Sequence, residues 1–132
     1  MASRKPEPSG EDRIIARYFR PLAKHPGAFR LIDDAAALTP PAGAELVLTV
    51  DAIVGGVHFF PDDPPDTVAK KALRVNLSDL AAKGARPAGF LLALALPKDT
   101  SETWIAGFAR GLGADAKSYA CPLLGEDRKS VV

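Results

Sequence analysis

The most constraining stretch runs from Leu46 to Phe60, Leu-Val-Leu-Thr-Val-Asp-Ala-Ile-Val-Gly-Gly-Val-His-Phe-Phe. Its first half is aliphatic and β-branched, the composition of a buried strand, and the alternation predicts a central strand over roughly residues 45–54. Asp51 interrupts that apolar run. A carboxylate taken out of water is costly unless a cation or hydrogen-bond donors hold it, so Asp51 calls for a partner, with a metal ion the leading candidate. Gly55 and Gly56 follow and let the backbone turn or approach a ligand without a Cβ penalty. His58 comes next, between Val57 and Phe59.

Two other acidic sites share this character. Asp33-Asp34 lies inside Leu31-Ile32-Asp33-Asp34-Ala35-Ala36, and Asp79 lies inside Asn76-Leu77-Ser78-Asp79-Leu80-Ala81. Three acidic interruptions of apolar segments could converge on divalent cations, and magnesium takes carboxylate, water and phosphate oxygens. Each site also has a plainer reading. Asp33-Asp34 could be a hairpin turn, and Asp51 a strand end or helix cap. Asp79 stands four residues before Lys83, a favourable solvated helix pair. His58 could be a packed ring with backbone partners. Lys70, Lys71, Arg74 and Arg86 read as a solvated helix face, from which one could meet a phosphate, and Cys121 as a core residue.

A length of 132 residues suits one domain with a real core, and 47% hydrophobic with 25% charged residues marks a globular chain. A net charge of +1 gives no reason to expect nucleic acid or an acidic membrane as partner. One cysteine excludes an intrachain disulfide framework and a cysteine-rich zinc site, and fits a reducing compartment. No apolar run is long enough for a membrane span, and Met1 to Ser9 has no signal-peptide core; a soluble, cytoplasmic protein is expected.

Residues 1–9 read as a loose tail, followed by an amphipathic helix over 10–22 capped by Ser9. Residues 28–38 look strand-like. A helix is expected from about Asp66 to Lys83, ending at Gly84. Gly89 to Leu96 reads as a buried strand between two prolines. Asp99 and Glu102 have the spacing of a capping box before a helix that carries Trp104, Ile105, Phe108 and Leu112. Gly107, Gly111 and Gly113 weaken that helix by roughly 1 kcal/mol each relative to alanine. A last strand starts near Cys121. The irregular order of helices and strands favours an α+β fold, a mixed sheet packed by helices, over a doubly wound one. No phosphate-loop, dinucleotide or nucleophile-elbow motif is present.

The blocks Gly10-Glu11, Ile14 to Phe19, Asp33-Asp34-Ala35-Ala36, Thr49-Val50-Asp51, Gly56-Val57-His58-Phe59 and Lys71 to Ala85 resemble the thiamine-monophosphate kinase family. That family shares a superfamily with aminoimidazole ribonucleotide synthetase, selenophosphate synthetase and a hydrogenase-maturation protein. The Lys71–Ala85 block is the strongest, and the His58 segment points to the kinase among these cousins.

The resemblance implies the N-terminal domain of the aminoimidazole ribonucleotide synthetase-like fold over residues 10–126. It implies ATP-dependent phosphorylation of thiamine monophosphate to thiamine diphosphate, with Mg2+ and ATP as co-substrate. It places Asp34, Thr49, Asp51, Asp79 and Asp127 at metal positions, Asp33 in support, His58 against substrate, and Gly125 and Asp127 against nucleotide. No acid/base residue is implied. It also implies a homodimer in which strands of two such domains form a shared barrel. The chain departs from the family at Ile32, Val50, Ala52, Lys83, Glu126 and Arg128. The family continues into a second domain, so an incomplete chain is expected. The tail 127–132 looks non-native, and its back-translation is compatible with a sequencing adapter read in frame. A non-catalytic dimerisation or metal-nucleotide binding module, or another enzyme of the superfamily, are the alternative readings.

Overall fold

The computed structural model describes residues 10–32 and 35–131. The expected tail 1–9, its Ser9 cap, Asp33, Asp34 and Val132 lie outside the described residues.

Two helices and two strands form the body. Helix α1 (Gly10–Ile14) runs directly into a wider π turn over Ile15–Phe19 and a 3-10 turn over Arg20–Leu22. The helix expected over 10–22 is therefore present, with its pitch changing along its length. Pro21, which has no N–H to donate, falls in the last turn. Tyr18 Oη donates to Glu102 Oε2 at 2.8 Å and pins this segment to a later helix; accepting that bond, the carboxylate raises the phenol's pKa.

Helix α2 spans Pro65–Ala82. Pro65 occupies the first turn, where a missing N–H costs nothing, and Asp66 sits there favourably toward the positive end of the helix dipole. The helix stops where expected. Gly84 takes φ +67, Gly84 N–H bonds to Ala81 O at 2.9 Å, and Ala85 N–H to Leu80 O at 3.0 Å. This pair of bonds satisfies carbonyls that the last turn leaves open. Helix α3 spans Glu102–Ser118. Its cap is Ser101, whose Oγ accepts from Trp104 N at 3.1 Å. Asp99 does not cap it, and Glu102 is left to bind Tyr18.

Strand β1 (Phe90–Pro97) pairs in parallel with β2 (Leu123–Val131), the two joined through α3. The register slips by one residue at the start, where Phe90 faces Leu123 and Leu91 faces Gly125. Leu124 is the extra residue, and it packs on Ala23 and Ala28. Residues 127–131 continue β2 opposite Ala93–Pro97. Helices with a small parallel sheet agree with the α+β class.

The core lies between the sheet and the helices. Phe19, Val68, Leu73, Ile105, Phe108, Leu112 and Leu123 meet there. Phe108 stacks on Trp104 at 5.4 Å and meets Phe19 edge-on at 6.4 Å. Cys121 is in the same cluster, as expected, and burial pushes its thiol pKa up against the opposing pull of the Gly89 backbone. Gly111 permits the closest helix contact. A Cβ there would lie 2.6 Å from Asp66 Cα and 2.8 Å from its carbonyl carbon. The α3 glycines that weaken the helix as a sequence thus serve its packing against α2.

Two expected strands are absent. Residues 26–31 form 3-10 turns, with Phe29, Arg30 and Leu31 at φ 47, 54 and 56. A strand cannot contain three consecutive left-handed residues. Residues 45–54 are extended but form no ladder, and all except Ile53 are exposed, Leu48 by 89% and Val50 by 91%. Strand pairing needs a neighbour to exchange hydrogen bonds with, and none lies beside this segment among the described residues. Among those residues no helix is long and apolar enough to cross a membrane.

Candidate functional site

The exposed segment 44–54 passes over the C-terminal half of α2. Asn76 and Asp79, one turn apart, lie on the side of α2 that meets it. Thr49 Oγ1 and Asp79 Oδ2 are 3.5 Å apart. Asn76 Nδ2 donates to Ala72 O at 2.9 Å and reaches Asp51 O at 3.5 Å. Thr49 and Asp79, 30 residues apart in sequence, therefore meet, and Asn76 links the Asp51 main chain to the same place. Asp51 and Asp79 are both exposed, so neither carboxylate is paying for burial.

His58 belongs to a tight loop. Val57 N–H and His58 N–H both bond to Val54 O, at 3.1 and 2.8 Å, and Gly56 N–H bonds to Phe59 O at 2.8 Å. Gly56 takes φ +80 to close that turn. Val54 N–H donates to His58 Nδ1 at 2.9 Å. A backbone N–H can only donate, so Nδ1 accepts and the ring proton sits on Nε2. The ring thus presents a hydrogen-bond donor outward. Lys71 on α2 donates to the His58 carbonyl and ties the loop to the helix.

Gly125 and Asp127 lie on β2, opposite Leu91 and Ala93. The Asp127 carboxylate pairs with Lys129 at 3.2 Å, both side chains more than half exposed. Its recorded ion partner is this neighbour and not the Thr49–Asp79 group. Among the described residues no group of three or more His, Cys, Asp or Glu lies close enough to hold a metal ion. The groups that do meet, the Thr49 hydroxyl, the Asp79 carboxylate and the Asp51 main-chain carbonyl, are hard oxygens. They suit magnesium, which keeps several waters and takes one or two carboxylates together with substrate phosphates.

Two cations expected on a solvated face have specific partners. Lys71 holds the His58 loop. Arg74 Nε and Nη2 grip Asp115 of α3 at 2.7 and 3.0 Å, with the Arg74 guanidinium 5.9 Å from the Tyr119 ring. Asp115 is 3% exposed, and its carboxylate raises the arginine pKa further. This fork fixes how α2 is rotated against α3 and hence which way Asn76 and Asp79 face. The available signal was Asp115 itself, an acid in the apolar course of α3.

Residues 32–130 match the family model described as AIR synthase related protein, N-terminal domain. The chain is 47% identical over 121 residues to thiamine-monophosphate kinase of Caulobacter vibrioides, covering 91% of this chain and 34% of the relative. It is 51% identical over 96 residues to that of Synechococcus elongatus, covering 72% and 29%. For that of Escherichia coli the identity is 42% over 120 residues, covering 89% and 37%. The crystal structure of thiamine-monophosphate kinase from Stenotrophomonas maltophilia superposes with a TM-score of 0.69 at 40% identity, covering 91% of this chain and 37% of that one. The chain thus spans about a third of the length of these relatives. With the match over residues 32–130, it belongs to the AIR synthase related family, whose N-terminal domain it carries.

Proposed function

We propose that this domain is the metal- and nucleotide-binding part of a thiamine-monophosphate kinase, which transfers a phosphoryl group from ATP to thiamine monophosphate and yields thiamine diphosphate. The observation that carries this reading is the meeting of Thr49 and Asp51 with Asn76 and Asp79 of α2. The kinase relatives, at 42–51% identity, support it.

Phosphoryl transfer depends on positioning and on offsetting charge more than on covalent chemistry. Asp51 and Asp79 would hold Mg2+, with Thr49 adding a hydroxyl and Asp34 and Asp127 completing the set, Asp33 beside them. Held there, Mg2+ would supply positive charge against the phosphate groups. His58 offers Nε2–H to an oxygen of the substrate, with Val54 N–H holding the ring and Lys71 holding the loop. The acceptor is already a phosphate, so no side chain has to act as a strong base. Gly125 and Asp127 of β2 would meet the nucleotide.

The same reading includes a homodimer. The segment 44–54 is extended, apolar and without a ladder partner, and a second copy would supply the missing strand. Such an enzyme would work in the cytoplasm, where ATP and magnesium are supplied.

The test is a diphosphate-forming assay on the protein extended through the C-terminal region that its relatives possess. Product should form from thiamine monophosphate, ATP and magnesium. Asp51→Asn and Asp79→Asn should each lower kcat by roughly a hundredfold or more, as losses of charge-positioning groups do. Absence of product, or full activity in Asp51→Asn, refutes the proposal.

A further inference from the structure

A concavity of about 670 Å3 lies where the first helical segment turns back on itself, with Arg20, Lys24, His25, Phe29 and Arg30 around a floor that includes Ala23. Among the described residues no carboxylate lines it. In a chain with 17 basic and 16 acidic side chains, three permanent cations on one concave wall are a local excess. Like charges gathered in a cleft raise the local potential and attract counter-ions.

The wall is held in place by main-chain bonds. Arg20 Nε donates to Arg30 O at 2.9 Å, which leaves its two terminal nitrogens. Gly27 N–H donates to His25 Nδ1 at 2.9 Å, so the proton of the neutral ring is on Nε2 and the ring offers a donor. Ala37 N–H bonds to Gly27 O at 2.9 Å, and a Cβ at Gly27 would collide with Ala37 O. Phe29, Arg30 and Leu31 take the left-handed conformation that L residues avoid. That turn leaves Phe29 45% exposed and Arg30 exposed at the rim. A conformation of this kind persists only where surrounding contacts over-determine it.

We propose that this concavity binds a phosphate or polyphosphate group through Arg20, Lys24, Arg30 and the His25 donor, with Phe29 as an apolar edge. The lining shares no residue with the Thr49–Asp79 group, and the proposal does not rest on the kinase reading. Two sources share this chemistry, an inorganic phosphate chain and the tail of a nucleotide. Only a nucleotide would also use the Phe29 ring.

The test is calorimetric titration of the 132-residue chain with pyrophosphate, ATP or adenosine. EDTA is present so that no metal-dependent site contributes. Pyrophosphate should bind with a dissociation constant below about 1 mM, weakening as salt is raised. The double variant Lys24→Glu/Arg30→Glu should bind roughly tenfold or more weakly at unchanged circular dichroism. Lys24→Gln/Arg30→Gln serves if the first variant does not fold. Tighter binding of ATP that falls to the pyrophosphate level in Phe29→Ala assigns the nucleotide source, and equal binding of the two assigns the inorganic one. Absence of pyrophosphate binding, adenosine binding as tightly as ATP, or wild-type affinity in the folded double variant overturns the proposal.

Discussion

Replacing Gly111 by alanine sets two effects of known sign against each other. In an exposed helix, alanine would stabilise α3 by about 1 kcal/mol over glycine. Here the new Cβ would sit 2.6 Å from Asp66 Cα and 2.8 Å from its carbonyl carbon, against an ordinary contact of 3.4–4 Å. The obstacle is backbone, not a side chain that can swing away, so α2 must retreat by about 1 Å. Overpacking of this kind costs about 1–3 kcal/mol, with rigid neighbours at the upper end. The expected net loss is about 2 kcal/mol, or roughly 8 °C in Tm for a chain of this size. Gly113→Ala is the control. Its Cβ would meet Leu22 Cδ2 at 2.7 Å, the movable end of a side chain, so the helix gain should largely survive, and the net change should stay within about 0.5 kcal/mol of zero. Urea denaturation followed by circular dichroism measures both. Gly111→Ala at or above wild-type stability would show that the α2–α3 spacing is not set by this contact.

Arg74→Ala leaves the Asp115 carboxylate buried without its partner, whereas Asp115→Ala frees an arginine that is already 53% exposed. The urea midpoint should therefore fall further in Arg74→Ala than in Asp115→Ala, and the double variant should recover part of the loss. Cys121 is 1% exposed and its thiol pKa is raised. Little thiolate should thus be available near neutral pH, and labelling by a thiol reagent should proceed only at the rate of unfolding. Fast labelling of native protein would contradict the packing. Val50→Lys should leave the Tm of a dilute, monomeric sample within about 1 °C, because the side chain is 91% exposed. Light scattering at high concentration should show the dimer lost, and a persistent dimer would remove segment 44–54 from the interface.

Elements whose signals are local were legible before the structure. Pro65 and Gly84 bound α2 and Pro97 ends β1, each through its own backbone chemistry; the start of α3 was legible, but its cap is Ser101 and not Asp99. Segment 45–54 misled because being a strand is not a property of one stretch. The alternation of Leu46 to Val50 was present, but the neighbour to complete it was not. The left-handed trio at Phe29–Leu31 contains no glycine or asparagine, so no residue announced the turn. At the site, Asp79 was singled out by the acidic pattern and Thr49 only by the family resemblance, while the Arg74–Asp115 fork spans 41 residues and leaves no spacing to read.

Since β1 is completed at Pro97 and its sheet partner β2 runs to Val131, the two cannot zip together as the ribosome emits the first. At ordinary elongation rates the nascent Phe-Leu-Leu-Ala-Leu-Ala-Leu run waits about 2–7 s for its mate. During that interval it is a sticky, edge-bare segment, open to a chaperone or to a neighbouring polypeptide on the same messenger. Yield in the cell should therefore respond to translation speed across α3 more than to any substitution at the exposed Thr49–Asp79 group.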